Sequence, residues 1–141
     1  MLRPKLERLA TYLADLRRHR ARRQSDIQED LYGVERRLEL LVQVAVDILG
    51  DLLAEKSITV WSYRRAFELG GREGFLPTDL AHRLAEVARL NNVLIHLYED
   101  IDYQVMADSV ERALADFDEF WRAMTRLQRE RERDGRAGSY G

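Results

Sequence analysis

"DLYGVERRLELLVQVAVDILGDLL", residues 30–53, decides the fold. Counted with Ile27 just upstream, Leu31, Val34, Leu38, Leu41, Ala45, Ile48 and Leu52 recur at alternating spacings of four and three. That is the signature of one helical face. A second apolar set, Leu40, Val42, Val44, Val46, Leu49 and Leu53, widens the stripe. A helix that is apolar on most of its surface must be buried on more than one side. The expectation is a central helix over 26–55, opened by a Ser25/Gln28 capping box, with a core on one side and a subunit contact on another.

The flanking sequence repeats the period. Leu2, Leu6, Leu9, Leu13 and Leu16 mark a helix over 3–23, with Pro4 in its first turn. Thr78 is placed to cap a helix over 79–99, and Asp102 one over 103–127. In the latter, Met106, Val110, Ala113, Phe117, Phe120, Met124 and Leu127 keep the four-three spacing. Between them, "KSITVWSYRRAFELGGREGFLP" (56–77) reads as a connection with a short helix over 62–69. Gly70-Gly71 is expected to end that helix, and Trp61, Tyr63, Phe67 and Phe75 to pack it down. "SITVWSY" has some β character but is too isolated to build a sheet. The fold class expected is all-α, an antiparallel four-helix bundle with an additional short helix. Residues 1–127 form the domain; "QRERERDGRAGSYG" (128–141) reads as a charged, disordered tail.

Composition narrows the chemistry. A chain of 141 residues with 45% hydrophobic and 34% charged residues fits one soluble helical domain. With no cysteine, disulfides and thiolate metal sites are excluded, and a cytoplasmic location is expected. No run is long enough for a membrane span or a signal peptide. The net charge of −2 is uneven: +6 over 1–23, −10 over 24–125 and +2 over 126–141. "LRRHRARR" (16–23) is either a cationic helix end or a phosphate-binding patch.

Chemistry-bearing residues concentrate in "RLNNVLIHLYEDID" (89–102). On a regular helix Arg89, Asn92 and His96 share one line, which His82, Glu86 and Glu99 extend. Two readings stand: a narrow solvent-facing stripe, or a polar cleft at a subunit boundary. Asn91 and Tyr98 lie on roughly the opposite side, in the row of Leu80, Leu84, Val87 and Leu94; there an Asn can specify register and a Tyr packs with its hydroxyl at the edge. His96 with Asp100 makes too few ligands for a metal site, and no glycine-rich phosphate loop or nucleophile elbow is present. No cofactor and no metal are expected.

From about residue 3 to 125 the chain resembles the HepT-like proteins of the HEPN superfamily, small helical toxins of prokaryotic toxin–antitoxin pairs. The likeness runs through the second-helix pattern, "SYRRAFELGGREGFLP" (62–77), "RLNNVLIHLYEDID" and "SVERALADFDEF" (109–120). The family motif is an Arg with a polar residue directly after it, four residues between Arg and His, and a Tyr two past the His. Here the His is His96, the Tyr is Tyr98, the polar residue is Asn92, and the Arg position holds Asn91. Arg89, with six residues before His96, is the candidate replacement, although positions 89 and 91 differ by about 200° around a helix.

The resemblance implies a homodimer whose motif helices line a shared cleft, and metal-independent cleavage of RNA, tRNA or mRNA. It implies catalysis by Arg89 and His96 with Asn91 and Asn92 in support. It also implies neutralisation by a nucleotidyltransferase antitoxin of the MNT type, in a type VII-like pair, through O-AMPylation of Tyr98. The alternatives are a catalytically weak binding module, which dimerises and binds a nucleotidyltransferase or nucleotide without cutting, and a purely structural helical adaptor.

Overall fold

The computed structural model describes residues 2–22, 31–94 and 103–139; the side chains of 19–22, 31, 32, 90–94, 103–107 and 136–139 are outside that description. Five helices follow in order: α1 (Leu2–Arg22), α2 (Leu31–Ala54), α3 (Tyr63–Arg72), α4 (Thr78–Leu94) and α5 (Tyr103–Ser139). The described residues contain no strand, and the all-α expectation holds, with α3 as the additional short helix. The Ser25/Gln28 capping box and the Asp102 cap lie outside the described residues.

α2 packs against all four other helices. Leu38, Leu41, Val42, Ala45, Ile48, Leu49, Leu52 and Leu53 are buried together in one core with Leu9, Leu16, Phe67, Leu84, Phe117 and Phe120. The second apolar stripe needs no partner subunit for its burial: Val42, Val44, Leu49 and Leu53 are covered within the chain, and only Leu40 and Val46 stay half-buried. The core is built within the chain, and Leu40 and Val46 mark the part of the stripe left partly open.

The connection from α2 to α3 corrects two expectations. Ser57, in the left-handed region (φ 60°), ends α2, and Ile58 N–H donates back to the Leu53 carbonyl (3.0 Å), the backbone pattern of a helix C-cap. The chain then runs extended, and extended residues alternate sides. Ile58 and Val60 turn inward while Trp61, on the outward beat, is 88% exposed. Tyr63 is 37% exposed as well. Of the four aromatics expected to pack, only Phe67, edge-on to Phe120 (6.4 Å, 84°), and Phe75, half-buried beneath Lys56 Nζ, do so.

Ser62 caps α3, its hydroxyl accepting from Arg65 N–H (3.1 Å). Gly70-Gly71 does not end the helix; it lies inside it. The turn comes after Arg72, where Glu73 N–H donates to Leu69 O (2.8 Å) and Gly74 takes a φ of +82°. The two glycines serve close approach. A Cβ on Gly71 would lie 2.5 Å from the Ala81 methyl, and one on Gly70 3.0 Å from Leu49 Cδ2. α3 therefore lies flush on both α4 and α2. Thr78 is the first residue of α4 and not its cap: Pro77 O accepts the opening bond, from Ala81 N–H (3.0 Å).

α5 continues to Ser139 where an end near 127 and a disordered tail were expected. Past Leu127 apolar residues run out, but Arg, Gln and Glu are good helix formers. Polar contacts also tie this stretch to the bundle: Arg131 pairs through both guanidinium nitrogens with Glu55 (2.8 and 2.7 Å), and Arg3 with Glu132 (2.6 Å).

Gly71→Ala is expected to destabilise the chain by about 1–2 kcal/mol, because overpacking outweighs the gain in helix propensity. Adding Ala81→Gly should restore part of the loss, a coupling measurable by urea denaturation of the two single variants and the double. Additive losses would refute the close-approach role.

Candidate functional site

α4 has two faces. Leu80, Ala81, Leu84, Ala85, Val87 and Ala88 are buried against α2, α3 and α5. His82, Glu86 and Arg89, at offsets of four and three, are exposed, so the row read from the sequence is a solvent face of this chain. Arg89 Nη2 pairs with Glu86 Oε2 at 3.2 Å, and both side chains are about two-thirds exposed (64% and 67%). An ion pair so exposed is weak and readily exchanged, which leaves the guanidinium able to turn to an anionic ligand.

α4 is an α-helix throughout 78–94, with no bulge at 89–92 to re-aim a side chain. Helical register therefore keeps positions 89 and 91 about 200° apart. Position 92 continues the row of Glu86 and Arg89; position 91 continues the row of Leu84 and Val87. His96 and Tyr98, and the side chains of Asn91 and Asn92, lie outside the described residues. Of the five motif positions, then, the side chain of Arg89 is the one seen in place. His82 borders a shallow groove between α3 and α4, with Glu68, Gly71, Arg72, Thr78 and Ala81.

A cluster one and a half turns before Arg89 escaped the sequence reading. Arg83 reaches from α4 to α5, its Nη1 donating to Asp116 Oδ1 (2.6 Å) and its Nη2 to Glu119 Oε2 (3.0 Å). It also contacts Asp79, one turn earlier on its own helix (3.3 Å). Asp116 is buried. Burial pushes its carboxyl above the ordinary aspartate value, with the Arg83 charge pulling the other way. Arg83 in turn is held above its ordinary value, chiefly by its bond to Glu119. A signal for this was present: Asp116 stands three residues after Ala113 and four before Phe120, on the apolar stripe, where a carboxylate needs a partner. The cluster holds α4 against α5 and so sets how the second half of α4 is presented.

With this geometry in view, comparison with known proteins is decisive at the family level. Residues 6–124 match the model of the family described as Ribonuclease HepT-like. The chain belongs to the HepT-like family. The tRNA nuclease HepT of Aphanizomenon flos-aquae (strain 2012/KM1/D3) is 33% identical over 84 residues, 59% of this chain and 57% of that protein; the match thus spans little more than half the length of that relative. Two solved structures share the fold. One is the tri-AMPylated Shewanella oneidensis HEPN toxin in complex with MNT antitoxin, with a TM-score of 0.76 at 17% identity over 88% of this chain and 96% of that one. The other is a mutant of the toxin–antitoxin MntA–HpeT, with a TM-score of 0.75 at 16% identity over 88% and 97%.

The Arg83 cluster yields a pH-dependent prediction. In Arg83→Met the buried Asp116 loses its counter-charge, and stability at neutral pH should fall by about 2 kcal/mol. An acid whose folded-state pKa lies above its unfolded one destabilises the fold fully above that pKa, progressively less as pH falls through it, and not at all below the unfolded value. The deficit of Arg83→Met against the parent should therefore shrink on acidification. Asp116→Asn, already neutral, should cost under about 1 kcal/mol at neutral pH. Urea denaturation at pH 7.5 and pH 5 checks both; a pH-independent deficit would sink the assignment.

Proposed function

We propose that this chain is the ribonuclease toxin subunit of a toxin–antitoxin pair, acting on tRNA or mRNA in the cytoplasm as a homodimer. The observation that carries the reading is the HepT-like match across residues 6–124, which contains the whole of "RLNNVLIHLYEDID". The tRNA nuclease named among its relatives points to the substrate, and the HEPN toxin bound to MNT antitoxin points to the partner. No described helix is long and apolar enough to cross a membrane.

The chemistry follows from the side chains. His96 takes the proton from a ribose 2′-OH as that oxygen attacks the phosphate, and returns one to the leaving 5′-oxygen. Arg89 stabilises the charge that builds on the phosphate, and Asn92 and Asn91 orient substrate or His96. These groups suffice for cleavage without a metal. The Tyr98 hydroxyl, losing its proton, attacks the α-phosphorus of an ATP held by the nucleotidyltransferase antitoxin; pyrophosphate leaves, and the added bulk and negative charge of the AMP close the cleft to RNA.

A second reading, a weakly catalytic module that binds without cutting, draws on one observation. Asn91 stands at the Arg position of the motif, and the regular register of α4 turns Arg89 to another side. An Asn carries no charge to offset the phosphate, and losing such a donor commonly costs about 100-fold in rate.

Cleavage of tRNA or mRNA by the purified protein, lost at least about 100-fold in His96→Ala, is the expected result; equal activity in that variant would discard the first reading. Asn91→Arg separates the two: a gain of cleavage supports the second reading, and no gain supports Arg89 as sufficient. After co-expression with the nucleotidyltransferase, intact mass should rise in AMP-sized steps that Tyr98→Phe abolishes. An unchanged ladder in Tyr98→Phe would move the modification to another residue.

A further inference from the structure

Trp61 is the most exposed large apolar side chain described, at 88%, and its exposure is built in. Ile58 and Val60 on the inward beat of the extended segment anchor it, and the Ser62 cap starts α3 one residue later. The indole is held out by structure on both sides. Tyr63 stands half out beside it, and Arg64 and Arg65 follow, both exposed. The two guanidiniums share one carboxylate, Glu68 (3.3 and 3.1 Å), so a positive charge is left over.

Residues 56–72 carry four Lys/Arg and one acid, a net +3 inside a stretch, 24–125, that sums to −10. On its other side Tyr63 borders a groove with Arg8 and Tyr12. Asp47, the carboxylate lining that groove, is already paired with Lys5 (3.2 Å).

The patch also has a position. Gly71 meets Ala81 at the closed end of the α3–α4 hairpin, and Glu68 lies beside His82. The two helices run from there in opposite chain directions. Moving from Gly71 to Glu68 along α3 corresponds to moving from Ala81 to His82 along α4, so the N-terminal end of α3, with Trp61 just before it, points toward the half of α4 that bears Arg89 and leads toward His96.

We propose that Trp61 and Tyr63, with Arg64 and Arg65, form a platform on which bases of single-stranded RNA stack as the strand passes to the α4 site. The inference rests on the ribonuclease reading above. Bases present a π-face whatever their identity, guanidiniums meet the phosphates between them, and aromatic side chains interleaved with cations suit a single strand. Trp, Tyr and Arg also serve protein contacts; the net positive charge of the segment in an otherwise acidic body, and an exposed apolar surface limited to one indole and part of a phenol ring, favour a polyanion.

The test uses the full chain in a Trp121→Phe background, so that Trp61 is the sole indole, and a short single-stranded oligonucleotide with 2′-O-methyl riboses, which cannot be cut. Binding should quench Trp61 fluorescence. With the parent chain, Trp61→Ala should weaken binding of the same oligonucleotide, followed through a dye on it, about tenfold. Trp61→Phe should restore part of that loss, and Arg64→Gln with Arg65→Gln should flatten the salt dependence of binding.

In cleavage of natural RNA, Trp61→Ala should raise KM and leave kcat near the parent value. If Trp61→Ala binds and cuts RNA like the parent, the platform is refuted and the ribonuclease reading stands. If the parent neither binds nor cuts RNA, both fall. Normal RNA binding by Trp61→Ala, together with a lost nucleotidyltransferase complex or a lost dimer by sedimentation, would assign the indole to a protein contact and overturn the proposal.

Discussion

The structure depends on hiding α2. Its buried Leu, Val, Ile and Ala positions form one broad apolar face that cannot be left in water, while Arg36, Asp47 and Asp51 keep the opposite side exposed. Each remaining helix is accordingly a cover: α1, α3, α4 and α5 all lie against it. A regular four-helix bundle buries one stripe per helix. Here one helix meets four neighbours with a single broad face, and the covers need only one apolar face each, which leaves their outer faces to charge.

Covering α2 closely enough explains the glycines of α3. A short helix that must touch α2 on one side and α4 on the other has room for no side chain at either contact. Gly70 lets Leu49 in, and Gly71 lets Ala81 in. On the far side, Arg83 clasps Asp116 and Glu119 of α5. Between a glycine contact and a half-buried ion pair, α4 has little freedom to roll. The direction in which its outer row points is therefore a property of the core.

That rigidity bears on the substitution at position 91. A mobile or bulged helix could let Arg89 answer for a missing neighbour. A regular helix pinned by Ala81 and Arg83 upstream holds the two positions on different sides. Arg89 therefore offers its charge on its own line, away from position 91.

Much of this was legible in the sequence, and the misreadings share a cause. Four-three spacing identified the main helices and the buried face of α4, because burial imposes the helical period on apolar residues. The HepT-like resemblance in the motif region was legible too, because the motif is local in the chain. Elsewhere one local signal has two tertiary meanings. Gly-Gly serves equally for ending a helix or for letting two helices touch, and Ala81 and Leu49, distant in the chain, decided for touching. A Trp among apolar residues looks buried until the alternation of an extended segment turns it out. A polar tail looks disordered until Glu55 and Arg3 give its helix something to bind. Asp116 on an apolar stripe announced a partner but not which one. What the sequence determined by itself was periodicity and chemistry, since both are written residue by residue. What only the tertiary structure decided was which side each residue faces and what meets it there, since that depends on groups dozens of positions away.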